Sequence, residues 1–179
     1  MNRQSLLHFF SDYKTSYSAE KLFIPRFSEL LVQQNCFERS HLPGHITGSA
    51  WIVDSSRTQV LLVHHAKLNK WLQPGGHADG DENVLRVALR EAEEETGLKN
   101  LTVILQTPFD VDIHLIPARK DLGEHFHFDI RFLIEADATE TIIVSEESHD
   151  VKWIPLKTLE DWNQEQSILR MKEKLLRSN

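Results

Sequence analysis

Between Gly76 and Leu98 the chain reads Gly76, five residues, Glu82, seven residues, then Arg90-Glu91-Ala92-Glu93-Glu94-Glu95-Thr96-Gly97-Leu98. On a helix, Glu91, Glu94 and Glu95 stand at i, i+3 and i+4 and share one face. Like charges at that spacing repel by ~0.2–0.5 kcal/mol per pair. Gly97 suits the position just past a helix end. The carboxylates therefore also crowd the negative pole of the helix, where anions are misplaced. A hard divalent cation relieves both conflicts, because clustered carboxylates are what Mg²⁺ and Mn²⁺ bind. Conflicts of this kind concentrate at functional sites. The plainer reading is a solvated acidic helix face.

The ten histidines add a second pattern. His125, His127 and Asp129 alternate with Phe126, Phe128 and Ile130, and Asp110, Asp112 and His114 alternate with Val111 and Ile113. Each set lies on one face of a strand. For Asp112 and His114 the favoured reading is the polar face of a half-exposed strand. For His77 and the His125/His127/Asp129 set a second reading stays open, a place in a substrate pocket or at a second metal. His64 and His65 are strand neighbours that face opposite ways, so they do not chelate as a pair.

The spacing from Gly76 to Leu98 resembles the Nudix box at all nine of its fixed positions, including the apolar slots at Ala92 and Leu98. The chain is thus identified as similar to Nudix hydrolases. The resemblance implies that Glu94 and Glu95 are the principal metal ligands. It implies that Glu91 binds a second metal or takes the proton from the attacking water. Arg90 would position these carboxylates, as a guanidinium fork suits them, and Glu82 would join that network. Gly75 would offer its carbonyl to the metal. Many family members take a further glutamate from a loop beyond the box, and Glu147 of the Glu146-Glu147 pair is the first choice for it. His77, His125 and His127 are candidate substrate contacts. The implied reaction is Mg²⁺- or Mn²⁺-dependent hydrolysis of a diphosphate linkage in a nucleoside diphosphate derivative. Two other readings compete with this one. One is a nucleotide-sensing module without turnover, which the intact glutamate set opposes. The other is a histidine-based zinc protein, which lacks any familiar zinc-finger spacing.

These residues need elements to position them. Leu6, Phe9, Phe10 and Tyr13 recur at helical spacing behind a Ser5 cap. A second helix spans about Ile24 to Gln34, with Pro25 in its first turn. Ile46–Val53 and Thr58–His65 read as a hairpin turning at Asp54-Ser55-Ser56-Arg57. A loop, Lys67 to Asp81, leads to the motif helix, about Glu82 to Thr96, whose other face carries Leu85, Ala88, Leu89 and Ala92. Strands follow near Thr102–Gln106, Asp110–Leu115, His125–Glu135 and Val151–Ile154. A final helical stretch runs from Leu156 to about Leu176, broken near Asn163. This is an α/β pattern, and the resemblance sharpens it to an α/β/α sandwich around a mixed β-sheet. Residues 1–40 are expected to be a helical extension packed on a Nudix domain of residues 41–179.

A chain of 179 residues with net charge −7 suits one domain with a real core and disfavours a nucleic-acid groove, which needs a basic stripe. An acidic protein still binds a polyphosphate when metal ions bridge the two. The single cysteine, Cys36, excludes an intrachain disulfide and reads as an inert buried thiol. No stretch reaches membrane-spanning length, and a cytoplasmic location is expected. The family is often dimeric, so the N-terminal helices are a candidate homodimer interface.

Overall fold

In the computed structural model, which describes residues 1–118 and 123–177, eight strands form one mixed sheet with helices on both faces. The central strand β1 (Gly44–Asp54) is buried at every residue. It runs parallel to β7 (His125–Ala136), from Gly44 opposite Phe126 to Asp54 opposite Ala136. Its far end pairs antiparallel with β2 (Gln59–His65), and its near half pairs antiparallel with β4 (Gly75–His77). The strands β3 (Lys70–Leu72) and β8 (Ser148–Pro155) flank β2, while β5 (Thr102–Val103) and β6 (Asp110–Ile116) flank β7.

Alternation along β1 and β7 sorts the two faces. Ile46, Ala50, Ile52, Phe128, Ile130 and Phe132 share one core with α1 (Arg3–Asp12), α2 (Ser18–Leu31) and α3 (Val84–Thr96). Trp51, Val53, Val60, Leu62 and Leu133 pack on the opposite face against Ile168, Met171 and Leu175 of α4 (Gln166–Arg177). The expected sandwich is present. Leu6, Phe10 and Phe27 of the N-terminal helices lie in the same core as the sheet.

The hairpin turn is held by Asp54, whose Oδ1 accepts the Thr58 and Gln59 amides at 2.8 and 2.7 Å. The expected break near Asn163 is also present. A 3-10 turn (Leu156–Asp161) precedes it, and Asn163 Oδ1 accepts the Glu165 amide at 2.6 Å just before α4. Cys36 is buried, and burial pushes its thiol pKa up.

Several local expectations are corrected. The cap of α1 is Asn2, whose Oδ1 accepts the Ser5 amide at 3.0 Å, so Ser5 is inside the helix. Pro25 lies within α2 rather than in its first turn. The helix begins earlier because Glu20, fully buried, accepts from the hydroxyls of Tyr13 (3.1 Å) and Thr15 (2.5 Å) and pairs with Lys174 of α4. Tertiary anchoring outweighs the local penalty of an internal proline. The segment expected as a loop from Lys67 to Asp81 contains β3 and β4. His114 is half-exposed as expected, but Asp112 on the same face of its strand is not, and Arg170 donates to Asp112 Oδ1 at 3.2 Å. Arg170 bonds both oxygens of Asp110 at 2.8 Å, and Arg131 bonds Asp129 at 2.7 Å and Asp110 at 3.2 Å, all buried. Burial of such charges is tolerated because each is paired and hydrogen-bonded.

Candidate active site

The helix α3 is placed by its termini and its apolar face. Asn83 Oδ1 accepts the Arg86 amide at 3.3 Å, and the Val84 amide bonds the Met1 carbonyl at 3.1 Å. Gly97 ends the helix in the left-handed region (φ 75°), its amide bonding the Glu93 carbonyl at 2.9 Å. Val84, Leu85, Val87, Ala88 and Ala92 are buried against the sheet. The glutamates are thereby turned toward β4.

That meeting is close. A Cβ on Gly76 would lie 2.5 Å from the Glu91 carboxylate, so only glycine leaves room for the acid there. The Gly75 amide donates to Glu95 Oε1 at 2.8 Å. Arg90 Nη2 donates to Glu91 Oε1 at 2.6 Å and to the His77 carbonyl at 2.8 Å, and Arg90 Nε stands 3.9 Å from Glu94 Oε1. One guanidinium thus ties the helix to the strand and fixes the first glutamate. Glu94 is the exposed member of the set.

The electrostatics follow from crowding. Burial pushes the Glu95 carboxyl up to about 7 against the opposing Gly75 amide, and Glu91, Glu147 and Glu94 push in the same direction as burial. Burial also raises Glu91, with Arg90 opposing. Clustered carboxylates of this kind are poised to exchange protons for a cation. Glu147 lies in the exposed loop before β8, where its carbonyl accepts the Ala66 amide at 3.0 Å. Its charge is felt at both Glu95 and His77.

Glu82 stands elsewhere than expected. Its carboxylate pairs with Arg3 of α1 at 2.9 Å, joining the N-terminal helix to the motif loop rather than entering the Arg90 network. Two rim residues carried no sequence signal. Arg39, between α2 and β1, forms a two-pronged pair with Asp79 (Nε to Oδ1 2.6 Å), and the charges of Glu91 and Glu147 reach it.

The candidate substrate histidines gather on the other face of β4. His127 lies directly across from His45, and Thr47 directly across from His77. His45, His77 and His127 therefore point the same way, with His125 stacked on His45 at 5.1 Å between ring centroids. His114 is next to His127 across β6–β7, at 5.4 Å, and its Nδ1 is 3.4 Å from Asp112. His45 was missed in the sequence. The period-2 run His45, Thr47, Ser49 in an otherwise apolar strand could have revealed it. Asp129, by contrast, is committed to its neighbours, accepting from Thr47 at 3.0 Å and Ser49 at 2.7 Å. Trp71 is stacked on His64 at 4.9 Å, and Trp51 is core.

A sequence model of the NUDIX domain matches residues 44–175. A bis(5′-nucleosyl)-tetraphosphatase (asymmetrical) of Rattus norvegicus is 30% identical over 106 residues, covering 58% of this chain and 69% of that protein. A probable DHNTP pyrophosphohydrolase of Lactococcus lactis is 27% identical over 141 residues, covering 76% of this chain and 81% of the relative. Among solved structures, a NUDIX-family hydrolase from Clostridium perfringens superposes with a TM-score of 0.60 at 26% identity, covering 75% of this chain and 98% of that one. An Ap4A hydrolase of C. elegans shares the fold with a TM-score of 0.61 at 17% identity, covering 74% and 96%.

Proposed function

This chain belongs to the Nudix family of hydrolases, which act on acid anhydrides in phosphorus-containing substrates, and we propose that it hydrolyses a diphosphate linkage in a nucleoside diphosphate derivative with a divalent cation held on the Glu91/Glu94/Glu95 face of α3. The observation that carries this reading is the closure of α3 on β4. The Gly75 amide holds Glu95 while Gly76 makes room for Glu91. The carboxylates that repel one another are thus kept together by the backbone.

The donor set fits a hard cation. All side-chain donors are carboxylate oxygens, and the Gly75 carbonyl adds a neutral one, the chemistry that Mg²⁺ and Mn²⁺ prefer. When bound, the ion supplies positive charge against the phosphate oxygens and lowers the pKa of water. The protein does the rest. Arg90 keeps Glu91 in one rotamer, so the set is preorganised. Glu147, on its exposed loop beside Glu95, accepts the proton of the attacking water. Arg39 at the rim offers a cation to a phosphate that extends past the set.

Both named relatives act on phosphoanhydride chains according to their names, and this supports a nucleotide polyphosphate rather than a protein or lipid substrate. A panel of dinucleoside polyphosphates, nucleotide sugars, pterin and nucleoside triphosphates, incubated with Mg²⁺, Mn²⁺ or EDTA and resolved by ion-exchange chromatography, tests it. Metal-dependent release of a monophosphate product is expected from at least one member. Hydrolysis that persists unchanged in EDTA contradicts the proposal.

A further inference from the structure

The histidines on the far face of β4 are placed as ligands are. Three separate strands deliver them, which is why no spacing in the sequence betrays the set. One nitrogen each of His45, His77 and His127 lies within 4.8 Å of the other two. The ring centroids are 4.9–5.2 Å apart. His45 is wholly buried, and Nδ1 faces the His41 carbonyl at 3.3 Å, which leaves Nε2 as the free lone pair. That Nε2 and the Nε2 of His127 are both buried without a hydrogen-bond partner. Buried polar atoms are rarely left so, and an orphaned one asks for an explanation. A proton is a poor answer for the set. A proton on one ring would add charge in a buried cluster of like groups.

We propose that His45, His77 and His127 bind a transition-metal ion of the zinc class, at a site apart from the glutamates on α3. Neutral imidazoles prefer such ions, whereas Mg²⁺ prefers oxygen. The contact from His45 Nδ1 to a backbone carbonyl is the outer-shell support that ligating histidines usually have. Tetrahedral bonds of about 2.0–2.1 Å need nitrogens about 3.3 Å apart, so each ring moves inward by under about 1 Å to close the site. Three protein ligands leave a fourth position for water or an anionic oxygen of a bound molecule. The acidic set is near, since His77 follows Gly76 directly and its carbonyl is held by Arg90. An ion here adds a fixed positive charge on the opposite side of β4.

The proposal does not depend on turnover. Protein stripped with EDTA is titrated with Zn²⁺ by calorimetry in excess Mg²⁺, which occupies oxygen sites. Wild type is expected to take up one Zn²⁺ per chain, and Glu91→Gln and Glu95→Gln to do the same. His77→Gln and His127→Gln should weaken binding by at least about 100-fold, with circular dichroism and melting curves showing that each variant is folded. Co²⁺ loaded into wild type should give the intense visible absorption of a tetrahedral centre, a readout that needs no variant. Zn²⁺ binding that is unchanged in both histidine variants overturns the proposal. So does the absence of Zn²⁺ uptake and of a tetrahedral Co²⁺ spectrum in wild type.

Discussion

Gly76 and Glu91 are in contact through the space where a side chain on Gly76 would be. A Cβ there falls 2.5 Å from the Glu91 carboxylate. Gly76→Ala should therefore push Glu91 from its place beside Arg90 without disturbing the core. The expected result is a loss of kcat of about 100-fold, the usual consequence of misplacing a reacting group by about 1 Å. The melting temperature should change little. Steady-state kinetics paired with thermal melts measures both.

Arg90 joins two groups through one nitrogen, Nη2, which donates to both the Glu91 carboxylate and the His77 carbonyl, while its Nε stands 3.9 Å from Glu94 Oε1. Arg90→Lys keeps the charge but loses the reach of Nη2 to both acceptors and the Nε beside Glu94. The variant is expected to lose about 10–100-fold in apparent affinity for Mn²⁺, measured by titrating activity against metal concentration. A variant with wild-type metal dependence would show that the guanidinium is dispensable.

Acid should unfold this protein through its buried aspartates. Burial would raise Asp110 and Asp112, but hydrogen bonds and charges from Arg170 and Arg131, and His114 at Asp112, outweigh it and hold both below the usual carboxylate value. A depressed folded pKa contributes stability that is fully present above the unfolded value of 3.8 and is lost as pH falls toward the folded values. Denaturant midpoints should be insensitive to these groups near neutrality and fall steeply below about pH 4. Asp112→Asn should lose part of that acid dependence.

Glu20 ties the N-terminal helices to the rest of the fold. It is fully buried and meets Tyr13, Thr15 and Lys174. Glu20→Ala strips buried groups of their acceptor, at a cost on the order of 3 kcal/mol. Urea unfolding should show this loss, while the metal dependence of turnover stays as in wild type.

The glutamate face was legible because its chemistry is local. Glu91, Glu94 and Glu95 share a face by helix geometry alone, and Gly97 marks the end of that helix. The sheet was legible where alternation or β-branched runs reach the expected length, as in β1, β2 and β7. What escaped is what only tertiary pairing creates. The start of α2 depends on Glu20 meeting Lys174, far away in sequence. Glu82 meets Arg3, a partner no local rule supplies. The short strands β3 and β4 exist because β2 and β1 offer them edges. His45 joins His77 and His127 only through register across three strands.

The most direct measurement is turnover of Glu94→Gln and Glu95→Gln beside wild type, on the best substrate of the panel, with Mg²⁺. Each change removes a charge and keeps the shape. The account predicts a loss of about 1000-fold or more in kcat for Glu95→Gln, the scale of losing an electrostatic group at the reacting centre, with melting curves close to wild type. Near-wild-type turnover in both variants would contradict the assignment of the cation site to α3.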